Sequence, residues 1–329
     1  MALCPLVAAC SDDSVASPPP AAPPYAVVVT FNTGTSEQMG HDAPPEDGYG
    51  TAEAALSDQY YGDGLAWQEV IDDTVRFFAS VDVDIVAFQE VFYSGECEAI
   101  PIEARAGFVC EGWQPGDPTV AQVVLGEGWQ VACNLGKPDK CAAVRRQFGS
   151  FRGCGDDLCL DGLEGAEVDG CGNGSRIGRG VIDLVDGGQL TLVAVHGSSG
   201  IDQSDQDCRV LQVSQVFEDL GLGDGDPAAN GQRHIILGDF NTDPGRMADF
   251  DESAQAWNAH VGVGETFQFI SDVGPDTPAS YAGLFTIDLV VSDAFAGSCW
   301  IAGLTEGHPA VSEVRYLDHK PVVCGIDPR

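Results

Sequence analysis

Six stretches of this chain carry polar groups where an apolar run begins or ends. "YAVVVTFN" (25–32) closes on Asn32, "VDIVAFQE" (83–90) on Glu90 and "QLTLVAVH" (189–196) on His196. "RHIILGDFN" (233–241) delivers Asp239 and Asn241, "TIDLVVSD" (286–293) carries Asp288, and "DHKPVVCGI" (318–326) opens on Asp318 and His319. One Asp beside a strand is most often a turn residue or a helix cap. Carboxylates, carboxamides and two histidines on separate strands are harder to assign to turns. Their oxygens suit a hard divalent cation such as Mg²⁺, and the imidazoles suit proton transfer and phosphate contact.

The runs that must hold these groups read as buried strands. Between them, Trp67, Val70, Ile71, Thr74, Phe77, Phe78 and Val81 keep helical spacing, as do Val210, Val213, Phe217 and Leu220. Met247, Phe250, Trp257 and Val261 do the same. The mixture predicts an α/β protein with helices covering buried sheets, and groups at strand ends are where such folds build sites. Alternate strand residues share a face, so Asp239 and Asn241 are expected to point at one target together. Residues 25–329 read as one domain. Within it, 95–176 holds seven cysteines among Gly, Asp and Pro with few periodic apolar runs, and reads as a disulfide-rich insertion.

The 329 residues include 51 Asp and Glu against 15 Lys and Arg, a formal net charge of −36. Such a field repels polyanions at long range, so any attraction to phosphate must be local. Twelve cysteines without zinc-like spacing point to disulfides in an exported protein. Cys299 and Cys324 flank the last strands and are expected to pair, leaving Cys208 to take the odd cysteine of the 97–171 group. Residues 1–24 read as a tether. "VAAC" resembles the lipobox of bacterial lipoproteins, with Cys10 the lipidated residue, although no Lys or Arg precedes it. No exposed apolar or aromatic loop that would enter a bilayer is evident.

"FNTGT", "FQEV", "AVHGSSG", "GDFNTDP", "TIDLVV" and "LDHKPV", in that order, resemble the endonuclease/exonuclease/phosphatase superfamily, the DNase I-like phosphoesterases. The resemblance runs from about residue 26 to 326 and covers 95–176 poorly. It implies a four-layer sandwich, two packed mixed β-sheets flanked by helices, here with the Cys-rich insertion. It further implies that Glu90, with Asn32 and Asp318 nearby, holds a divalent metal: Mg²⁺, with Mn²⁺ or Ca²⁺ as alternatives. Asp239 and Asn241 would position the attacking water and the scissile phosphate, His196 and His319 would contact or protonate phosphate oxygens, and Asp288 would orient His319. Of the two arginines in "SRIGRGVIDL", Arg179 rather than Arg176 is the candidate phosphate contact. The implied activity is an exported, metal-dependent phosphodiester hydrolase, most simply a nuclease. The alternative substrate is a phospholipid or sphingomyelin head group, and a non-catalytic binding module is disfavoured because every matched position is kept. No stable protein partner is implied; the expected form is a monomer, extracellular or tethered by a lipid anchor.

Overall fold

The computed structural model describes residues 24–36 and 50–329; Cys4, Cys10 and all but the last residue of the expected tether lie outside them. In chain order the elements are β1 (Ala26–Asn32), α1 (Ala52–Tyr60), α2 (Gln68–Ser80), β2 (Ile85–Gln89) and α3 (Val120–Leu125). Next come β3 (Trp129–Asn134), β4 (Lys137–Arg145), β5 (Gly149–Phe151), β6 (Leu158–Leu163), β7 (Ile177–Leu184) and β8 (Gln189–His196). The chain then forms α4 (Gln203–Phe217), β9 (His234–Asp239), α5 (Glu252–His260), β10 (Gln268–Phe269), β11 (Asp288–Ser292), β12 (Phe295–Ile301) and β13 (Val322–Pro328).

One mixed sheet runs β12-β13-β1-β2-β4-β3-β6 and the other β10-β11-β9-β8-β7-β5. Period-two alternation sorts their side chains into three cores. Val28, Ile85, Ala87, Leu190, Leu192 and Leu237 fill the space between the sheets. Val29, Phe31, Val86 and Phe88 face outward under α1, α2 and α3. Val193, Val195, Ile236 and Leu289 face outward under α4 and α5. The result is helices, sheet, sheet, helices. Each fully buried Val, Leu, Ile or Phe contributes about 1.5–3 kcal/mol relative to exposure, so this alternation fixes the register strongly. Among the described residues no helix is long and apolar enough to cross a membrane.

The Cys-rich segment is built into both sheets. It supplies β3 and β4 to the interior of the first sheet, β6 to its edge and β5 to the second sheet. The inner faces of β3 and β4 carry Ala132, Ala142 and Val144 in the core that also holds Ala87, and their outer faces carry Val131, Ala143 and the Cys133–Cys141 bridge. Side chains this short leave a weak hydrophobic period, although both strands are buried.

Among the described residues five disulfides form: Cys97–Cys110, Cys133–Cys141, Cys154–Cys159, Cys171–Cys208 and Cys299–Cys324. Cys299–Cys324 staples β12 to β13 at directly opposed positions. Cys171–Cys208 is the one that leaves the Cys-rich segment, tying it to α4. Replacing Cys171 and Cys208 with Ser should cost roughly 2–5 kcal/mol of unfolding free energy, read by denaturant titration. Peptide mapping without reductant should recover a fragment joining these two cysteines; a free thiol at Cys208 would contradict the pairing.

Candidate active site

Strand pairing gathers the polar ends at one edge of both sheets. Parallel β1 and β2 place Asn32 opposite Gln89, one residue before Glu90. Parallel β8 and β9 pair His196 with Asp239, and antiparallel β11 pairs Asp288 with the same Asp239. Antiparallel β13 starts at Val322, which leaves Asp318 and His319 in the loop entering it beside the end of β1. The glycine before Asp239 has a steric cause: a Cβ at Gly238 would lie 1.9 Å from the Val195 carbonyl oxygen. Asn241 does not continue the strand as expected. β9 ends at Asp239, and Asn241 turns back in the left-handed region at φ 50°.

That turn still brings the two groups together. Asn241 Nδ2 donates to Asp239 Oδ2 at 2.9 Å, and Asn32 Nδ2 donates to the same oxygen at 3.0 Å from the other sheet. His196 Nε2 lies 3.7 Å and His319 Nε2 3.9 Å from it. His319 Nδ1 is bonded to Asp288 Oδ2 at 2.8 Å, which fixes the ring. His196 Nε2 lies 3.2 Å from Glu90 Oε1, yet neither of its ring nitrogens completes a hydrogen bond among the described groups.

Burial opposes charge on all these groups, and neighbours decide the outcome. It pushes Asp239 up to about 7, with His319 pulling it back and Asp288 adding repulsion. Burial also lifts Asp63 to about 7, reinforced by Glu90, and holds Asp318 well above the usual carboxylate range despite His319. It works against the His319 imidazolium, but Asp288 and Asp318 outweigh it and keep that ring charged. His196 falls to about 4 because burial and the Lys140 ammonium act together, leaving it neutral at neutral pH. Glu90 stays ionised against burial through contact with His196 and the charges of Lys140 and His319.

The donor set fits a hard cation. A Cβ at Gly34 would fall 2.2 Å from Glu90 Oε2 and 3.2 Å from Asn32 Oδ1, so this glycine keeps clear a space lined by both oxygens. Asp318 Oδ1 is buried without a hydrogen-bond partner. Among the described residues no three His, Cys, Asp or Glu already form a closed metal cage.

Of the expected site residues, Arg179 is not brought to the cluster. Its guanidinium pairs with Glu164 at 3.2 Å and donates to the Asn230 carbonyl. Arg176 stands there instead: its carbonyl accepts from His196 N, its Nη1 donates to Gly197 O, and its charge is felt by Glu90 and Asp239. The signal was present in the sequence. Gly187 and Gly188 close a β7–β8 hairpin whose register carries Arg176 opposite His196. Lys140, buried with its Nζ 2.5 Å from Asp139, and Asp63, which binds Thr35, were also missed. Lys140 lies on β4, inside the segment read as an insertion. His234 pairs with Asp293 at the far end of β9, while His260 and His308 stack on Phe217 and Trp300, all structural contacts; His41 lies outside the described residues.

No protein-family model matches the chain, and no curated protein does. Solved structures do. Beta toxin 275-280 from Staphylococcus aureus aligns with a TM-score of 0.51 at 12% identity, covering 91% of this chain and 99% of its own. The Xenopus laevis APE2 catalytic domain aligns at 0.47 and 14%, covering 92% of each chain. An endonuclease/exonuclease/phosphatase from Beutenbergia cavernae DSM 12333 aligns at 0.47 and 15%, over 92% of this chain and 71% of its own. The architecture is the DNase I-like fold.

A second layer holds the cluster in place. Arg209 of α4 is fully buried and donates to the carbonyls of Ser198 and Gly200, just past His196. It also pairs with Asp251 at 2.9 Å, and Asp251 accepts from Thr242, next to Asn241. Burial raises Asp251, but Ser253 and Arg209 outweigh it and leave it below the usual range. Its folded pKa is therefore depressed, so its stabilisation is present above about pH 4 and is lost as pH falls through the folded value. Asp251→Asn should cost roughly 3–5 kcal/mol at pH 7 by stranding Arg209. The Tm gap to the wild type should narrow by pH 3; a gap that does not change with pH would count against this account.

Proposed function

We propose that this protein is an exported phosphoesterase that hydrolyses phosphodiesters with a divalent cation. One observation carries the reading: two carboxamides and two imidazoles, drawn from both sheets, converge within 4 Å of a single buried carboxylate oxygen of Asp239. Asp239, with a pKa lifted to about 7, is suited to take a proton from an attacking water near neutral pH. Asn32 and Asn241 hold its carboxylate in one orientation. His319, kept charged by Asp288, is placed to donate to a phosphoryl or leaving oxygen, and the open nitrogens of His196 provide a neutral contact to the same phosphate. Arg176, not Arg179, adds local positive charge. Glu90, Asp318 and Asn32 would hold the metal, which supplies charge neutralisation at the phosphoryl oxygens when bound. Five disulfides support export.

A nuclease is the simplest member of this class, but two observations favour a phospholipid head group as substrate. The net charge of −36 opposes a polyanion, and eight of the Lys and Arg side chains are paired with carboxylates. Two loops beside the site each carry an exposed apolar residue. Ile201, 80% exposed, follows the His196 loop, and Leu284, 54% exposed, sits in the turn joined to His319 through Tyr281. A turnover panel of duplex DNA, RNA, sphingomyelin and small phosphate esters with Mg²⁺ or Mn²⁺ separates these substrates.

Hydrolysis should vanish in chelator and return with Mg²⁺ or Mn²⁺; full activity of metal-stripped Glu90→Ala would sink the ligand assignment. His196→Ala and His319→Ala should each lower kcat by roughly 10²-fold or more with little change in folding. Arg176→Gln should reduce kcat/KM by about tenfold or more while Arg179→Gln leaves it within about twofold, and the reverse order would return the phosphate contact to Arg179.

A further inference from the structure

Glu90 stands where strand alternation should not put it. Phe88 of β2 faces outward under the helices, so a regular strand would turn Glu90 outward as well. Its carboxylate instead lies with His196 and Asn32. Oε1 is 3.2 Å from His196 Nε2, and Oε2 shares the space at Gly34 with Asn32 Oδ1. A local extra residue accounts for this. In register with the Phe88–Cys141 pair, Glu90 would stand opposite Asp139, yet it is Val91 N that donates to the Asp139 carbonyl, at 3.0 Å. Glu90 is the additional residue of a bulge, and it lies in the left-handed region at φ 56°. A residue other than glycine stays in that region only where its surroundings hold it there.

Thr33, which is fully buried, supplies that hold. Its N donates to the Gln89 carbonyl at 2.8 Å, and its Oγ1 donates to the Glu90 carbonyl at 2.9 Å, with the Gln89 carbonyl 3.2 Å away. Those two carbonyls belong to the peptides on either side of Glu90, whose relative orientation is what its φ and ψ set. From the other side Leu65 N donates to the Glu90 carbonyl at 3.3 Å, and a Cβ added at Gly64 would lie 2.7 Å from the same oxygen. We propose that Thr33 is a positioning residue for the metal: its hydroxyl locks the Glu90 bulge and presets the carboxylate beside Asn32. The proposal rests on the reading of Glu90 and Asn32 as metal ligands. One short stretch, Asn32-Thr33-Gly34, then provides a ligand, the lock on a second ligand and the clearance between them. The β1–β2 ladder and the bond from Thr33 N do not need the hydroxyl, so its loss should loosen the ligand rather than unfold the sheet.

Mn²⁺ binding to the free protein, followed by electron paramagnetic resonance of the unbound ion, tests this without any substrate. Thr33→Val keeps the side-chain shape and removes the hydroxyl; it should raise the Mn²⁺ Kd by about tenfold or more. Near-ultraviolet circular dichroism should stay native. Thr33→Ser, which keeps the donor, should remain within about threefold of the wild type. Gly64→Ala crowds the same carbonyl from the other side with the hydroxyl in place. It should weaken Mn²⁺ binding in the same direction, and it decides the matter should Thr33→Val fail to fold. Wild-type affinity in folded Thr33→Val, or in Gly64→Ala, would overturn the proposal while Glu90→Ala still identified Glu90 as a ligand. Equal losses in the Val and Ser variants would overturn it too. A wild type that binds no Mn²⁺ would remove the ligand assignment and the proposal with it.

Discussion

The structure depends on one buried carboxylate oxygen. Asp239 Oδ2 accepts from Asn32, which is 207 residues away in sequence and belongs to the other sheet. This bond crosses the sandwich at the edge where parallel β1 and β2, and parallel β8 and β9, all terminate. An unpaired carboxylate at that depth would be strongly destabilising, so the sheets must meet in the register that supplies both carboxamides. The same constraint explains Gly238, where the Val195 carbonyl leaves no room for a side chain. It also explains the left-handed turn at Asn241, which bends the chain back onto the oxygen it serves.

Around that oxygen the charges are arranged in opposition. Asp63, Glu90, Asp239 and Asp318 repel one another, and the cations set against them are few: Lys140, Arg176 and the His319 imidazolium. Lys140 gains its influence by burial, since a screened surface lysine would not reach Glu90 or His196. An otherwise acidic protein thereby keeps a short positive arc facing the place where a phosphate would sit. The arc is local, in keeping with a chain whose other cations are largely consumed by carboxylate partners.

Much of this was legible in the sequence, for identifiable reasons. β1, β2, β8, β9 and β11 are long apolar runs with their polar groups at the ends, so both strand and site residue could be read together. α2 announced itself by seven residues at helical spacing. The elements that were missed lack such contrast. The middles of β3 and β4 are Ala and Cys, which give little hydrophobic contrast, and the pattern of β7 is interrupted by Gly178, Arg179 and Gly180. Missing β4 hid Lys140, and missing the β7–β8 register led to the choice of Arg179 over Arg176. Asp63 gave no signal at all. It lies in a turn between helices, and only the fold places it near Glu90.

Arg209 and Asp251, which brace the site, are as buried as the site itself, yet neither bonds to the side chains around Asp239. Arg209 links α4, the loop after His196 and Asp251 in a single set of hydrogen bonds, and Asp251 reaches Thr242 beside Asn241. Cys208, one residue before Arg209, is bonded to Cys171, and the Cys171 carbonyl accepts from Arg176. The helix therefore grips the neighbourhood of both His196 and Arg176 from adjacent positions of its own chain. A shift of α4 would move a histidine and an arginine together, away from a carboxylate fixed by the other sheet. The Cys-rich segment thus stabilises one side of the cleft as well as its own strands, which is why a stretch that looked peripheral by composition is integral to the fold.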